Sequence, residues 1–381
     1  MTPEANKNVI FLPGLNGLRT LAACGVMISH ISIALSKLNL KYALFGFENG
    51  KPRGWVLGEH GVTMFFVLSG FLITYLLLME KKKYQHVKIK EFYMRRMLRI
   101  WPLYYVYLLI CLLISGFLYH ANPVNAMVPF YVFFLANIPF ILQRALLFLD
   151  HFWSIGVEEQ FYLFWPWFFK LSEKKIAITA ASIIVLLSVL RIILWYIMPF
   201  SIPALFSVVN RFDCMLFGAL GAIFYFNREK YFMRIVDNPY MQTAALMILF
   251  SMVINRFWFI NSIIEIFIVE AMTLVIIVGQ INIKHRIINF DNRMMDYLGK
   301  LSYGIYVIHV LVLNLIITQI PWHTITNQVA LVAIIYLLVI SSTVFLAHLS
   351  YHFLEKPFLK LKLKFTRIKS SGTNTFDTLN K

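Results

Sequence analysis

Charge is scarce in this chain. Only 14% of its 381 residues are Asp, Glu, Lys or Arg, 60% are hydrophobic, and the mean hydropathy is +0.71. That balance excludes an ordinary soluble domain. Acids are the scarcer sign: 18 Asp and Glu stand against 35 Lys and Arg, a formal net charge of +17. In a soluble protein such an excess would raise nucleic acid as a partner. Here the cations fall between apolar runs, as in cytoplasmic loops, and contact with anionic membrane lipid accounts for most of them. No nucleic acid is expected. Cysteine is nearly absent. Cys24, Cys111 and Cys214 all lie in apolar runs, at spacings that suggest neither a disulfide framework, nor a metal site, nor a thiol catalyst. The N-terminus lacks a convincing signal-peptide cleavage site: polar residues come first, then Phe11-Leu12-Pro13-Gly14, and Arg19 opens an apolar run that reads as a retained first span. There is no internal repeat and no second domain.

What is present is a series of apolar runs near bilayer-spanning length, which predicts an all-α polytopic membrane protein. Candidate spans are 18–36, 61–79, 100–118, 155–170, 176–198, 208–226, 240–257, 259–280, 301–320 and 328–350. The dense basic stretch from Lys81 to Arg99 marks a cytoplasmic loop. So do Lys170 to Lys175, Arg228 to Arg234, Lys284 to Lys300, and the tail from Lys356 to Lys369. Both termini are then cytoplasmic, and the number of crossings is even. Segment 127–149 would break that parity as a span. With Pro129, Asn137, Pro139, Gln143 and Arg144 it reads instead as an irregular outer segment. The prediction is about ten transmembrane helices, one membrane domain over 1–369, and a short disordered tail over 370–381.

Several polar residues interrupt the apolar runs, where lipid penalises them. Arg19 and His30 are eleven residues apart in the first span, so they share one helix face to within roughly 20°, about 16 Å apart along the axis. Glu158, Glu159 and Gln160 enter the fourth span from outside. They cap that helix, hold and polarise His30, or bind an acceptor hydroxyl. Arg211 and Asp213 open the sixth span, either as a structural pair or as ligands for a polar group. Arg96 and Arg99, three residues apart at the inner face, suit bidentate phosphate contacts. Ser69-Gly70 lacks a Gly-x-Ser-x-Gly pattern and reads as a close helix approach. His309 reads as a packing or network residue, and His352 and Glu355 as structural.

These pieces resemble the acyltransferase-3 family of membrane acyltransferases, which includes O-acetyltransferases of bacterial surface polysaccharides. The resemblance is carried by Arg19 with His30, Phe65 to Thr74, Arg96-x-x-Arg99-Ile-x-Pro102, Trp153 to Tyr162, Arg211-Phe212-Asp213 with Gly218, Leu301 to His309, and Glu355-Lys356-Pro357-Phe358. They follow the family order over nearly the whole chain. Gly156 departs mildly from the commoner Trp-Ser-Leu-Ser-Val. The resemblance implies a multi-pass protein of the bacterial inner membrane. It implies transfer of an acyl group, usually acetyl, to a hydroxyl of O-antigen, exopolysaccharide or another envelope sugar, free or lipid-linked. The expected donor is cytoplasmic acetyl-CoA, and no metal is needed. The expected roles are donor binding by Arg19, Arg96 and Arg99, catalysis by His30 as general base or transient acyl carrier with Glu158 and Glu159 in support, and acceptor binding by Arg211 and Asp213. Some relatives carry a fused extracytoplasmic domain, for which this chain ends too soon after its last span. A transporter or flippase of a polar lipid, and an acyltransferase of a small lipophilic hydroxyl compound, are the alternatives.

Overall fold

The computed structural model describes residues 9–37, 44–48, 51–54, 56–120, 125–253, 262–322 and 325–370. The tail beyond residue 370 lies outside them, as does part of the loop around His323. Among the described residues, eight helices are long and apolar enough to cross a bilayer. They are built on α1 (Leu15–Lys37), α2 (Leu57–Tyr84), α3 (Ile89–Tyr119), α7 (Glu173–Ile197), the pair α8 (Ile202–Val209) and α9 (Phe212–Phe226), α12 (Ser262–Ile281), α13 (Arg293–Gln319) and α14 (Gln328–Ser350). Two shorter helical segments lie where the sequence predicts further spans. One is α11 (Pro239–Val253); the other is α6 (Trp153–Phe164), continued as a tighter 3-10 turn over Trp165–Lys170. Pro166 explains that change of pitch, because proline cannot donate within an α-helix.

Segment 127–149 forms short helices, α4 (Val128–Val132) and α5 (Asn137–Ile141), joined by turns rather than a span. Phe134, Gln143 and Phe148 take left-handed backbone angles there. Gln160 of α6 ties the segment down, donating to the Phe134 carbonyl and to Asn137 at 2.9 Å each.

Two close approaches set the frame around the site. On α2 and α9, a Cβ at Gly70 would lie 1.9 Å from the Met215 carbonyl oxygen, and one at Gly218 would lie 2.1 Å from that of Val67. Only glycine permits this crossing, as the Ser69-Gly70 reading anticipated. Helices α1 and α13 run side by side in the same direction. Asn16 donates to Asp296 at 2.7 Å near their starts, and His30 meets His309 higher up. Gly299 permits the contact, since a Cβ there would sit 2.2 Å from the Asn16 carbonyl oxygen.

After α14 the chain makes a π-helical turn at Tyr351–Glu355 and enters α15 (Lys356–Lys362), which packs on α3. Two short strands, β1 (Val9–Ile10) and β2 (Lys369–Ser370), then pair in parallel. The two described ends of the chain therefore meet at one end of the bundle, the end where the basic residues gather.

The sixth predicted span carries a buried ionic centre. Arg191 of α7 approaches Asp213 at 2.8 Å, with both side chains almost fully buried. Glu270 of α12 is fully buried nearby. Breaking such a pair strands a charge at a cost of about 3–5 kcal/mol, whereas removing both partners is far milder. Arg191→Leu is therefore expected to lower the thermal stability of the detergent-solubilised protein sharply. Arg191→Leu with Asp213→Leu should recover most of the loss. Equal melting of the single variant and the wild type would refute the coupling.

Candidate active site

Arg19, Arg96 and Arg99 converge, although they come from two helices separated by most of the first two spans. They line two cavities that meet at them. The first holds about 1060 Å³ of empty space, part of it open to solvent at the basic end, and also touches Arg95, Lys300 and Lys362. The second, about 710 Å³, runs deeper between the spans to Ser69, Ser154, Glu158, Tyr162 and Tyr306. The chain thus provides one passage from the basic surface into the bundle, with three guanidinium groups at its waist.

Charge around this passage is unbalanced. Arg95 is paired with Glu80 at 3.2 Å and Lys300 with Asp296 at 2.6 Å. Arg19, Arg96, Arg99 and Lys362 have no ion pair among the described residues. Arg96 lies over the rings of Phe92 and Tyr162, and its Nε is buried without a partner. Lys362, on α15, faces all of these cations. Clustered like charges repel strongly in a poorly solvated site. Phosphate suits such guanidinium clusters.

His30 stands apart from the passage. It is partly exposed, and it lines neither cavity. Its Nδ1 lies 2.8 Å from Nε2 of the buried His309. Tyr306, one turn before His309, separates the pair from the deep cavity: its ring contacts Phe65 on one side and His309 on the other, and it shares a 2.5 Å hydrogen bond with Ser154. His151 completes a cluster of three imidazoles, its ring centroid 5.2 Å from that of His309 and its Nε2 3.0 Å from the Val307 carbonyl. Asp150 precedes it, outside the spanning helices. Burial pushes its carboxyl up, but the neighbouring His151, its Nδ1 3.9 Å away, with His30 behind it, outweighs this and holds it at about 2. Asp150 is therefore an anion at neutral pH within electrostatic reach of His30.

Two sequence expectations need correction. Glu158 and Glu159 do not hold His30. Consecutive helical residues diverge by about 100°, so the two acids face different neighbours. Glu158 accepts hydrogen bonds from Ser69 and Tyr162 in the deep cavity. Glu159 accepts from Trp101 Nε1 at 3.2 Å, and its other oxygen is buried without a partner. Nor do Arg211 and Asp213 pair with each other. Arg211 is bound to Glu59 and to Thr63, the latter at 2.9 Å, while Asp213 takes Arg191. Each is tied to a residue of another span. A third hollow does exist at the end of the bundle away from the basic cluster, lined among others by Phe140, Gln143, Phe148, Asp150 and Asn314. Sequence reading missed Asp150, Lys362 and the partnership of His309. Lys362 was masked by the run of tail lysines, and Asp150 by its place ahead of the apolar run.

The acyltransferase-3 family model, described as an acyltransferase domain, matches residues 12–351. The chain is 28% identical over 378 residues to the peptidoglycan O-acetyltransferase OatA of Listeria monocytogenes, covering 92% of this chain and 56% of that protein. It is 28% identical over 379 residues to the O-acetyltransferase OatA of Staphylococcus aureus, covering 93% and 58%. The chain thus spans less than two thirds of the length of these relatives. No solved structure matches. With its bundle of apolar helices, its arginine-lined passage and this match over most of its length, the chain is a multi-pass membrane protein that belongs to the acyltransferase-3 family.

Proposed function

We propose that this chain transfers an acyl group, acetyl foremost, from acyl-CoA to a hydroxyl of a bacterial envelope sugar, across the inner membrane in which it sits. The observation that carries this reading is the passage itself: four cations with no ion pair among the described residues at its basic end and waist, then a narrow interior that reaches Tyr306, whose ring contacts His309. A thioester donor has that shape, with phosphates at one end and a long, thin arm at the other. The relatives' names support an O-acetyl product and, in one case, a peptidoglycan acceptor.

In this mechanism Arg19, Arg96, Arg99 and Lys362 hold the phosphates on the cytoplasmic side. The arm rises past Ser69 and Tyr162, which Glu158 keeps in place. Its carbonyl reaches His30 when the Tyr306 ring gives way. The acceptor enters from the opposite end, through the hollow lined by Gln143, Asp150 and Asn314. His30 takes the hydroxyl proton as the oxygen attacks the thioester carbonyl. A new C–O bond forms, the C–S bond breaks, and the proton passes to the departing thiolate. Asp150 stabilises the transient imidazolium from outside. No step calls for a metal.

The test is mass spectrometry of envelope glycans from cells with and without this protein. One acyl group per modified sugar should be present only with the protein. Identical glycan masses in both, alongside transport of an unmodified glycan, would replace the reading with a transporter.

A further inference from the structure

The hydrogen bond between His30 and His309 has a direction, and the direction selects which nitrogen of His30 can react. His309 Nδ1 lies 2.7 Å from the Tyr306 carbonyl oxygen and 3.2 Å from that of Ile305. Carbonyl oxygens only accept, so Nδ1 of His309 carries a proton. A doubly protonated His309 would be a cation at 1% exposure, with no carboxylate in contact among the described residues. Burial penalises such an unpaired charge heavily. His309 is therefore neutral, and its Nε2 holds a lone pair. That lone pair faces His30 Nδ1 at 2.8 Å. His30 must donate there, which leaves the lone pair of His30 on Nε2.

We infer that His309 is a positioning residue that fixes the tautomer and ring orientation of His30, so that Nε2 of His30 is the base. The inference rests on the reading of His30 as base. His309 gains and loses no proton. When His30 takes the acceptor's proton at Nε2, its Nδ1–H still donates to His309, and that bond becomes charge-assisted and stronger. The interaction therefore favours the transition state over the ground state. The Tyr306 carbonyl lies at the end of the relay and sets its sense. The parallel course of α1 and α13 puts the two imidazoles at matching heights, so backbone geometry enforces the relay.

Two variants and one spectrum test it. His309→Leu removes the acceptor and should cut kcat about 100-fold, the upper range for loss of a group that orients a reactive imidazole, with the KM for the acyl donor unchanged. His309→Gln keeps an acceptor oxygen and should recover activity to within about tenfold of wild type. In the intact, detergent-solubilised protein, ¹⁵N NMR of labelled histidine, assigned by the loss of signals in His30→Ala, should show His30 protonated at Nδ1 and bare at Nε2. Equal kcat losses in the Leu and Gln variants would reduce His309 to packing and overturn the inference. So would a proton on Nε2 of His30. A His30→Ala protein that still turns over overturns the base reading underneath. The two failures are distinguishable, because the nitrogen signature is read without turnover.

Discussion

His30→Ala is expected to abolish acyl transfer while the protein still inserts and folds. A positioned general base contributes about 10²–10⁴-fold to a rate, and no neighbour can replace this one. His309 spends its lone pair on His30, and His151 is tied to the Val307 carbonyl. Glu158 and Glu159 are engaged with Ser69, Tyr162 and Trp101 in another part of the bundle. Folding should survive, because His30 is partly exposed and gives up a single side-chain hydrogen bond among the described residues. The measurement is the acylated fraction of envelope sugars at matched protein levels. Wild-type acylation by the alanine variant would remove His30 from the chemistry, whatever the other side chains do.

Arg96→Ala and Arg99→Ala are expected to have the next largest effect, falling on the donor. A hydrogen bond to a charged group is worth about 1.5–3 kcal/mol, so each loss should raise the KM for acyl-CoA roughly 10- to 100-fold, with a smaller change in kcat. Arg99→Lys should recover only part, since lysine offers a point charge instead of a planar fork. A second consequence has the opposite sign. The guanidinium groups repel one another and Arg19 in the empty protein, so removing one should leave the unliganded fold as stable or more stable. A weakened donor response with an unchanged or raised melting temperature is the expected pair of results. A large loss of stability without donor weakening would mark these arginines as structural.

The helical membrane architecture was legible because lipid imposes it residue by residue. Long apolar runs and basic loops have no other reading in a bilayer. Even the exclusion of 127–149 from the spans followed from charge parity and its prolines. The spacing of Arg19 and His30 placed both on one face of α1, and the three-residue spacing of Arg96 and Arg99 put both on the face that meets Arg19 in the passage. The supporting residues were less legible. Glu158 and Glu159 sit beside each other in sequence, which suggests a shared task, yet the helix turns them toward different partners. Arg211 and Asp213 looked like one pair, but each found its counter-ion on another span, in Glu59 and Arg191. Such long-range pairings leave no local pattern.

By itself, the sequence determined the solvent of this protein, the order of its apolar runs and the polar groups that interrupt them. The tertiary structure alone decided which of those groups meet. Close glycine contacts at Gly70, Gly218 and Gly299 set the distances between spans. Those distances bring α15 and Lys362 to the arginine waist and bring His309 to His30. A spanning helix is fixed by its own residues against the bilayer, whereas a site between helices depends on rotation and depth that only packing supplies.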